Sequence, residues 1–304
     1  MCSIIIVTYN GLDVTRQTLE SYQAALSLDE QNDYEMIVVD NDSQDGVADM
    51  VESRFPQVHR IRNSQNMGFS KANNIGFRAS QGNYLLFSNP DVTISGETLP
   101  TIVARMEQDP SVGACTPYLK LVRTGTMDWG AHRGFPTPWA AFTYFTGLAS
   151  LARHSRLLSR VFGQYHLLDR DLAHAHEVDV IRGGFFFVRR HVFMQAGGWD
   201  ESYFMYGEDI DLCYQIKRLG HRIMFYPEAT VFHHHGMTTG LKRHSQHASS
   251  VPPEAQRKAY DAFYDAMKVF YDKNYQTMYN PVFRWLLFLA IDAKRKLGMR
   301  KRVV

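Results

Sequence analysis

Three short apolar runs constrain this chain most: Ser3–Thr8 (SIIIVT), Tyr34–Asp40 (YEMIVVD) and Tyr84–Ser88 (YLLFS). Continuous β-branched and aromatic runs of this length read as strands covered on both faces, the mark of a parallel sheet. Helical spacing fills the gaps between them. Leu12–Ser27 places Leu12, Thr15, Leu19, Tyr22 and Leu26 on one face. A helix follows to about Arg54, then a short strand at Val58–Arg62, then a helix over Ser70–Ser80. Leu99, Ile102, Val103 and Met106 recur at i, i+3, i+4 and i+7. Strand and helix alternating on short connections predict an α/β fold with a mostly parallel central sheet. Each run stops in a polar cluster: Thr8-Tyr9-Asn10, Asp40-Asn41-Asp42 and Asn89-Pro90-Asp91. Ligands of such sheets sit outside the carboxyl ends of the strands, so these clusters are the first candidates for a binding site.

A second signal is Gly197–Cys213 (GGWDESYFMYGEDIDLC), which packs acids among aromatics. The pattern then turns helical through Ile210, Leu212, Cys213, Ile216 and Leu219, with Gly220 as a C-cap. Glu208 and Asp209 fall in the first turn, where the helix dipole favours an ionised carboxylate. A carboxylate held ionised beside aromatic walls suits a general base. The competing reading is that acids there only cap the helix. Asp211 lies ~200° round the helix from Asp209 and should point away from the same atom.

The rest of the chain is less regular. Pro136–Gln164 reads as one or two basic amphipathic helices, and Val178–Arg189 has strand character around Gly183-Gly184. Arg222–Phe232 gives one or two strands into His233-His234-His235. Leu241–Glu254 reads as a flexible linker, and Ala255–Tyr275 and Pro281–Leu297 as helices. The expected division is a catalytic domain over 1–240, with the insertion at about 136–165, and a linker with helices over 241–304.

Residues 284–304 carry seven Lys/Arg against one Asp, so the net +2 leaves −4 for the body. No charge excess there suggests nucleic acid. The three cysteines show neither metal-ligand spacing nor a disulfide framework, which fits a reducing cytoplasm. Met1–Val7 is too short for a signal peptide core, and no apolar stretch reaches ~18 residues.

The motifs arrive in a recognisable order. VTYN (7–10), VVDNDSQDG (38–46), NMGFSKANNIG (66–76), NPDV (89–92), RGGFFFVRR (182–190), the 197–213 stretch and the His run resemble glycosyltransferase family two, most nearly its bacterial rhamnosyltransferase-like subgroup. The resemblance covers roughly 3–236. It implies a GT-A fold, Rossmann-like and nucleotide-sugar-binding, and inverting transfer from a nucleoside-diphosphate sugar. It assigns Thr8, Tyr9 and Asn10 to the base and ribose, and Asp40 to the pyrimidine N3–H. Asp42 touches the ribose or supports it from behind, or merely caps its strand end. Asn66, Gly68 and Asn74 resemble the segment beside the nucleotide, Gly68 for close backbone approach, while Asn74 is alternatively a helix residue with a satisfied amide.

Asn89-Pro90-Asp91 occupies the place of the family's DxD motif, whose acids hold Mg²⁺ or Mn²⁺ on the diphosphate. Asn89 departs from that motif and leaves Asp91 as the carboxylate ligand. Val231-Phe232-His233 fits the family's metal- or diphosphate-contacting histidine, so His233 is chosen over His234 and His235. Trp199 and Asp200 match the acceptor loop, although Trp199 could equally be a core anchor. The family's acidic pair makes Asp209 the base, with Glu208 either orienting it or touching the acceptor.

The implied partners are a nucleoside-diphosphate sugar and a saccharide or lipid-linked acceptor. A UDP-hexose donor, or a non-catalytic nucleotide-sugar-binding scaffold, are the alternatives. A nucleotidyltransferase should carry a Gly-rich basic loop after the first strand, and VTYNGLDV lacks it. Phe283–Ile291 (FRWLLFLAI) runs into Lys294-Arg295-Lys296 and Arg300-Lys301-Arg302. That pattern suits a helix lying on an anionic membrane surface, at the inner face of the plasma membrane. The alternative is a segment that packs on the protein.

Overall fold

A computed structural model describes residues 1–26, 33–234 and 253–300. Strands β1 (Cys2–Thr8), β2 (Tyr34–Asp40), β3 (His59–Arg62) and β4 (Tyr84–Ser88) alternate with helices α1 (Leu12–Leu26), α2 (Val47–Arg54) and α3 (Phe69–Ala79). The two-residue β5 (Val92–Thr93), α4 (Thr98–Gln108) and β6 (Val112–Leu121) follow. The 136–165 region forms α5 (Pro138–Thr146), a 3-10 segment (Leu148–His154) and α6 (Arg156–Phe162). Then come β7 (His176–Glu177), β8 (Phe185–Arg189), α7 (Arg190–Gln195), α8 (Glu208–Arg218) and β9 (Arg222–His233). Helices α9 (Pro253–Asn274) and α10 (Pro281–Arg300) end the described chain.

The sheet order is β3-β2-β1-β4-β8-β6-β9-β5, with β7 on β9. Strands β3, β2, β1 and β4 are mutually parallel, and β6 runs parallel to β9. Strand β8 is antiparallel to both β4 and β6. The sheet is therefore mixed, with one uniform four-stranded parallel block. Ile4, Ile5, Ile6, Val38, Leu85, Leu86 and Phe87 are fully buried in that block, as unbroken apolar runs require. Because β1, β2 and β4 run the same way, Thr8, Asp40 and Ser88 end at one edge.

Strand β6 was not expected from the sequence. Gly113 and Pro117 interrupt its pattern, and register shifts fall beside both residues. The strand expected over 178–189 is shorter, since only 185–189 pairs as a strand, with a lone bridge at Val180.

Helix α8 begins after Gly207, whose φ of 85° follows Tyr206 at 70°. Two successive left-handed residues turn the chain sharply and put Glu208 and Asp209 at the first turn. Lys217 and Arg218 complement the dipole at the other end, and Gly220 (φ 85°) closes the helix.

The expected C-terminal helices are present and docked. Tyr203, Ala266, Phe270, Tyr271 and Tyr275 form a small core, joined by Phe283, Leu287 and Phe288 of α10. Lys273 Nζ bridges Asp200 (2.7 Å) and Asp211 (2.6 Å), tying α9 to α8 and the loop before it. One face of the Phe283–Ile291 segment thus packs on the protein, while Trp285, Leu286 and Leu289 face outward. The expected linker over 241–254 lies almost wholly outside the described residues.

Candidate active site

A cavity of ≈ 720 Å³ opens at the carboxyl edge of the parallel block. Tyr9, Asn41, Asn66 and Gly68 line one end. Asn89, Asp91, Arg182 and His233 line its floor, with Arg133, Glu208 and Asp209 among the walls. Helices α5, α9 and α10 line the remainder.

The floor is assembled by strand pairing. Strand β5 pairs antiparallel with β9 and sets Val92 opposite His233. The neighbouring Asp91 is thereby brought to His233 from far away in sequence: Asp91 Oδ1 lies 3.3 Å from His233 Nε2, both 1% exposed. On the other side of the ring, His233 Nδ1 lies 2.8 Å from Asp128 Oδ2. Asp128 also accepts from Arg182 (2.9 Å) and from the Gly130 N–H (3.0 Å). Burial disfavours a charged imidazole here, but Asp91 and Asp128 outweigh it and hold His233 above the ordinary histidine range. His234 takes the other face, near Thr93 (3.5 Å), and His235 lies outside the described residues.

The wall is set by α8. Asp209 Oδ2 accepts from Arg133 Nη2 at 2.7 Å, and its Oδ1 accepts from the Ile210 N–H. Glu208 is buried, and its Oε2 accepts no hydrogen bond from the described residues. Burial first and the neighbouring Asp209 second push Glu208 well above the usual carboxylate range. Glu208 and Asp209 thus sit in contrasting environments one residue apart, one carboxylate held by a guanidinium and the other drawn toward its neutral form. Asp211 points elsewhere, to Lys273 and Asn274.

Of the residues proposed from the sequence, the structure brings Tyr9, Asn66, Gly68, Asn89, Asp91, Glu208, Asp209 and His233 to the cavity. It does not bring the others to its lining. Thr8 is buried against Thr15, with hydroxyls 2.8 Å apart. Asn10 (φ 49°) and Asp42 (φ 71°) are turn residues, and Gln44 bonds to the side chain of each. Asp40 is fully buried behind the lining. Its Oδ1 accepts from Ser43 N–H, while Oδ2 accepts no hydrogen bond from the described residues and lies 3.8 Å from Arg62. Asn74 brackets the Trp199 backbone, donating to its carbonyl (2.8 Å) and accepting from its N–H (3.2 Å).

Trp199 is 1% exposed and meets Phe69, Phe87 and Phe186 edge-on, so it anchors the core and has no face for a sugar. Asp200 serves Lys273. Gly68 is needed for a different close approach than expected: a Cβ there would meet the Phe204 carbonyl at 2.5 Å.

Asn41, Asp128, Arg133 and Arg182 were not singled out by sequence reasoning. Asn41 donates to Asn66 and the Gly68 carbonyl and accepts from Asn63 and the Met67 N–H, knitting that end of the cavity together. Arg182 heads a motif already recognised, and Asn41 lies inside another. Asp128 and Arg133 come from DWGAHR, which has no periodicity to reveal it.

Comparison with known proteins accords with this geometry. The chain is 25% identical over 258 residues to the Mycobacterium tuberculosis N-acetylglucosaminyl-diphospho-decaprenol L-rhamnosyltransferase, covering 78% of this chain and 77% of that one. It is 26% identical over 244 residues to the rhamnosyltransferase WbbL of Escherichia coli, covering 77% and 83%. In fold it is similar to GalNAc-T7 solved with UDP, GalNAc and Mn²⁺, with a TM-score of 0.58 at 17% identity. That match covers 89% of this chain, which spans about half of the other (49%). Residues 3–193 match the sequence profile described as Glycosyl transferase family 2. With its GT-A architecture and a cleft at the strand ends, the chain belongs to glycosyl transferase family 2 and is a glycosyltransferase.

Proposed function

We propose that this enzyme moves a sugar, with inversion, from a nucleoside-diphosphate sugar to a hydroxyl of a saccharide or lipid-linked saccharide during cell-surface polysaccharide synthesis. The favoured donor is dTDP-rhamnose, in keeping with the names of the relatives. The observation that carries the reading is the facing of two groups across one cavity. Asp209, at the α8 start, stands in the same space as the Asp91–His233 pair.

The nucleoside lies over Tyr9 and Asn66, at the end of the cleft backed by Asp40. Asp209 takes the proton of the acceptor hydroxyl as its oxygen bonds to the anomeric carbon. The bond from that carbon to the diphosphate oxygen breaks, and its electron pair leaves on the diphosphate. Arg133 orients Asp209, and Glu208 sits beside it. No covalent sugar–enzyme intermediate forms.

The floor fits a divalent cation, Mg²⁺ or Mn²⁺. Asp128 accepts from His233 Nδ1–H and leaves Nε2 turned to Asp91, so that once Nε2 gives up its proton the ring is oriented to bind a metal. Among the described residues no cluster of three or more protein ligands forms, so the donor's oxygens would complete the shell. Asp91 and His233 would hold the cation, with Asn89 beside them, and it would neutralise charge on the diphosphate.

No helix of the described residues is long and apolar enough to cross a membrane. The outward Trp285, Leu286 and Leu289 of α10, with Trp139 and Leu157 of the α5–α6 region, instead support attachment to the cytoplasmic membrane surface.

The test is a donor screen that measures released nucleoside diphosphate with Mg²⁺ or Mn²⁺ and with saccharide and lipid-linked saccharide acceptors present. Release from dTDP-rhamnose above that from UDP-hexoses is expected. Donor binding without release from any of them would leave only a nucleotide-sugar-binding protein.

A further inference from the structure

The cavity that holds Asp91, Glu208, Asp209 and His233 is also lined by α5 and the C-terminal helices, and this apolar part is called its arm. Its sides are Phe142 and Phe145 of α5, Phe263 and Met267 of α9, and Ala290 and Ile291 of α10. A base or a sugar ring stacks on one or two aromatic faces, whereas these walls span three helices and include the aliphatic Met267, Ala290 and Ile291. The three phenylalanines keep 38–50% of their surface exposed, although aromatic rings are usually covered in a folded chain.

The cations of the cavity are unequal. Arg133 is taken by Asp209, and Arg182 by Asp128. On α10 itself, Arg284 is held by Asp272, and Arg295 by Asp261 and Asp265. Lys294 lines the arm and forms no ion pair among the described residues. Its ammonium sits 3.9 Å from the centroid of the Phe145 ring, a contact that joins α10 to α5 across the arm. Burial lowers its pKa. A lone ammonium in an apolar wall complements one kind of ligand, an amphiphile whose anionic group adjoins a hydrocarbon chain.

We infer that the arm between α5, α9 and α10 receives the hydrocarbon chain of a phosphate-bearing, lipid-linked acceptor, with Lys294 contacting the phosphate. This deepens the proposed transfer and rests on it for the sugar-bearing head, which reaches Asp209 through the same cavity. The outward apolar residues of α10 and of the α5–α6 region belong to the same helices, so a chain could pass from a membrane surface into the arm. The proposal distinguishes this acceptor from a free saccharide, for which the arm would stay idle.

The experiment is calorimetric titration of the full chain with farnesyl diphosphate and, separately, with inorganic diphosphate. Farnesyl diphosphate is expected to bind at least about tenfold more tightly. Ala290→Trp fills the arm from an exposed helix position. It should weaken farnesyl diphosphate by at least about tenfold and leave dTDP binding unchanged. Ile291→Glu is a second obstruction, should the first variant fold poorly, and Lys294→Gln should weaken both ligands.

Equal binding of the two diphosphates, or farnesyl diphosphate binding that survives both obstructions, would overturn the inference. The donor screen separates this from the reading beneath it. Farnesyl diphosphate binding without nucleotide release removes the transfer and leaves the lipid site. Release without farnesyl diphosphate binding removes the lipid site alone.

Discussion

The two sides of the cleft are built on opposite principles. On the polar side, charges are fixed in pairs before any substrate arrives: Asp91 with His233, His233 with Asp128, Asp128 with Arg182, and Asp209 with Arg133. These groups come from strand ends, a helix start and a loop laid on the sheet, so their positions follow from the main core. On the apolar side, Phe142 and Phe145 of α5 and Phe263 of α9 stand partly exposed, and α9 and α10 dock through a separate small core and the Lys273 bridges. Preorganised charge suits chemistry, where reorganisation during the reaction is costly. An adaptable apolar surface suits a substrate that varies in length and shape. If the apolar side receives the acceptor as proposed, the contrast predicts that chemistry and acceptor choice can be altered separately.

Breaking the polar side should cost most. Asp209→Asn removes the proton acceptor and keeps the shape, so turnover should fall by about 10³-fold or more while donor affinity stays within a few-fold. Single-turnover assays with calorimetric donor titration check this. Near-normal turnover would take Asp209 out of the role of base.

A smaller loss, of order 10²-fold, is expected when the floor is opened. Asp91→Ala should weaken donor binding and the response to Mg²⁺ or Mn²⁺ together, and EDTA should stop the wild-type reaction until cation is restored. Full activity in exhaustive chelator would show that the floor works without metal.

Acid should loosen the polar side before the rest. His132 lies between Asp128 and Arg133 in the chain and is fully buried, with Nε2 2.6 Å from His176 Nε2. Burial first and then His176 depress its pKa from 6.5 to about 4. The neutral ring is therefore favoured by folding. That stability is complete above pH 6.5 and is lost as pH falls toward 4, by up to about 3 kcal/mol. Urea midpoints measured between pH 7 and pH 4.5 should fall, and His132→Phe should flatten the profile. An unchanged slope would show that His132 is not the responsible group.

The smallest effect belongs to the apolar side. Vesicles with anionic lipid should carry the full chain upward in a density gradient at low salt, and high salt should weaken the association. Trp285→Ser with Leu289→Ser should reduce the floating fraction without altering nucleotide release. Identical flotation of that variant and wild type would mean these two residues do not attach the protein.

The polar side was largely legible because its parts sit where local rules speak. The parallel strands announce themselves as unbroken apolar runs, so their carboxyl ends, and with them Tyr9 and Asp91, could be placed from the sequence. The α8 start could be placed because Glu208 and Asp209 precede a helical period ended by Gly220. Asp128 and Arg133 could not, since their position depends on a loop laid across the sheet from outside any period. Trp199 misled for a related reason. It lies in the motif expected to face the acceptor, but three phenylalanines distant in sequence close around it. The apolar side was legible only as helices. That one face of α10 would pack on Tyr271 while others met a cavity and the solvent is a tertiary fact.

The central claim is a single displacement with one base. The described carboxylates that line the cavity are Asp91, Glu208 and Asp209, and the last two adjoin at one helix start. Proton NMR of the new glycosidic linkage, formed from a donor of known anomeric configuration, tests the claim most directly. The account predicts the opposite configuration in the product. Retention of the donor's configuration would contradict it and require a nucleophile that this cleft has not been assigned.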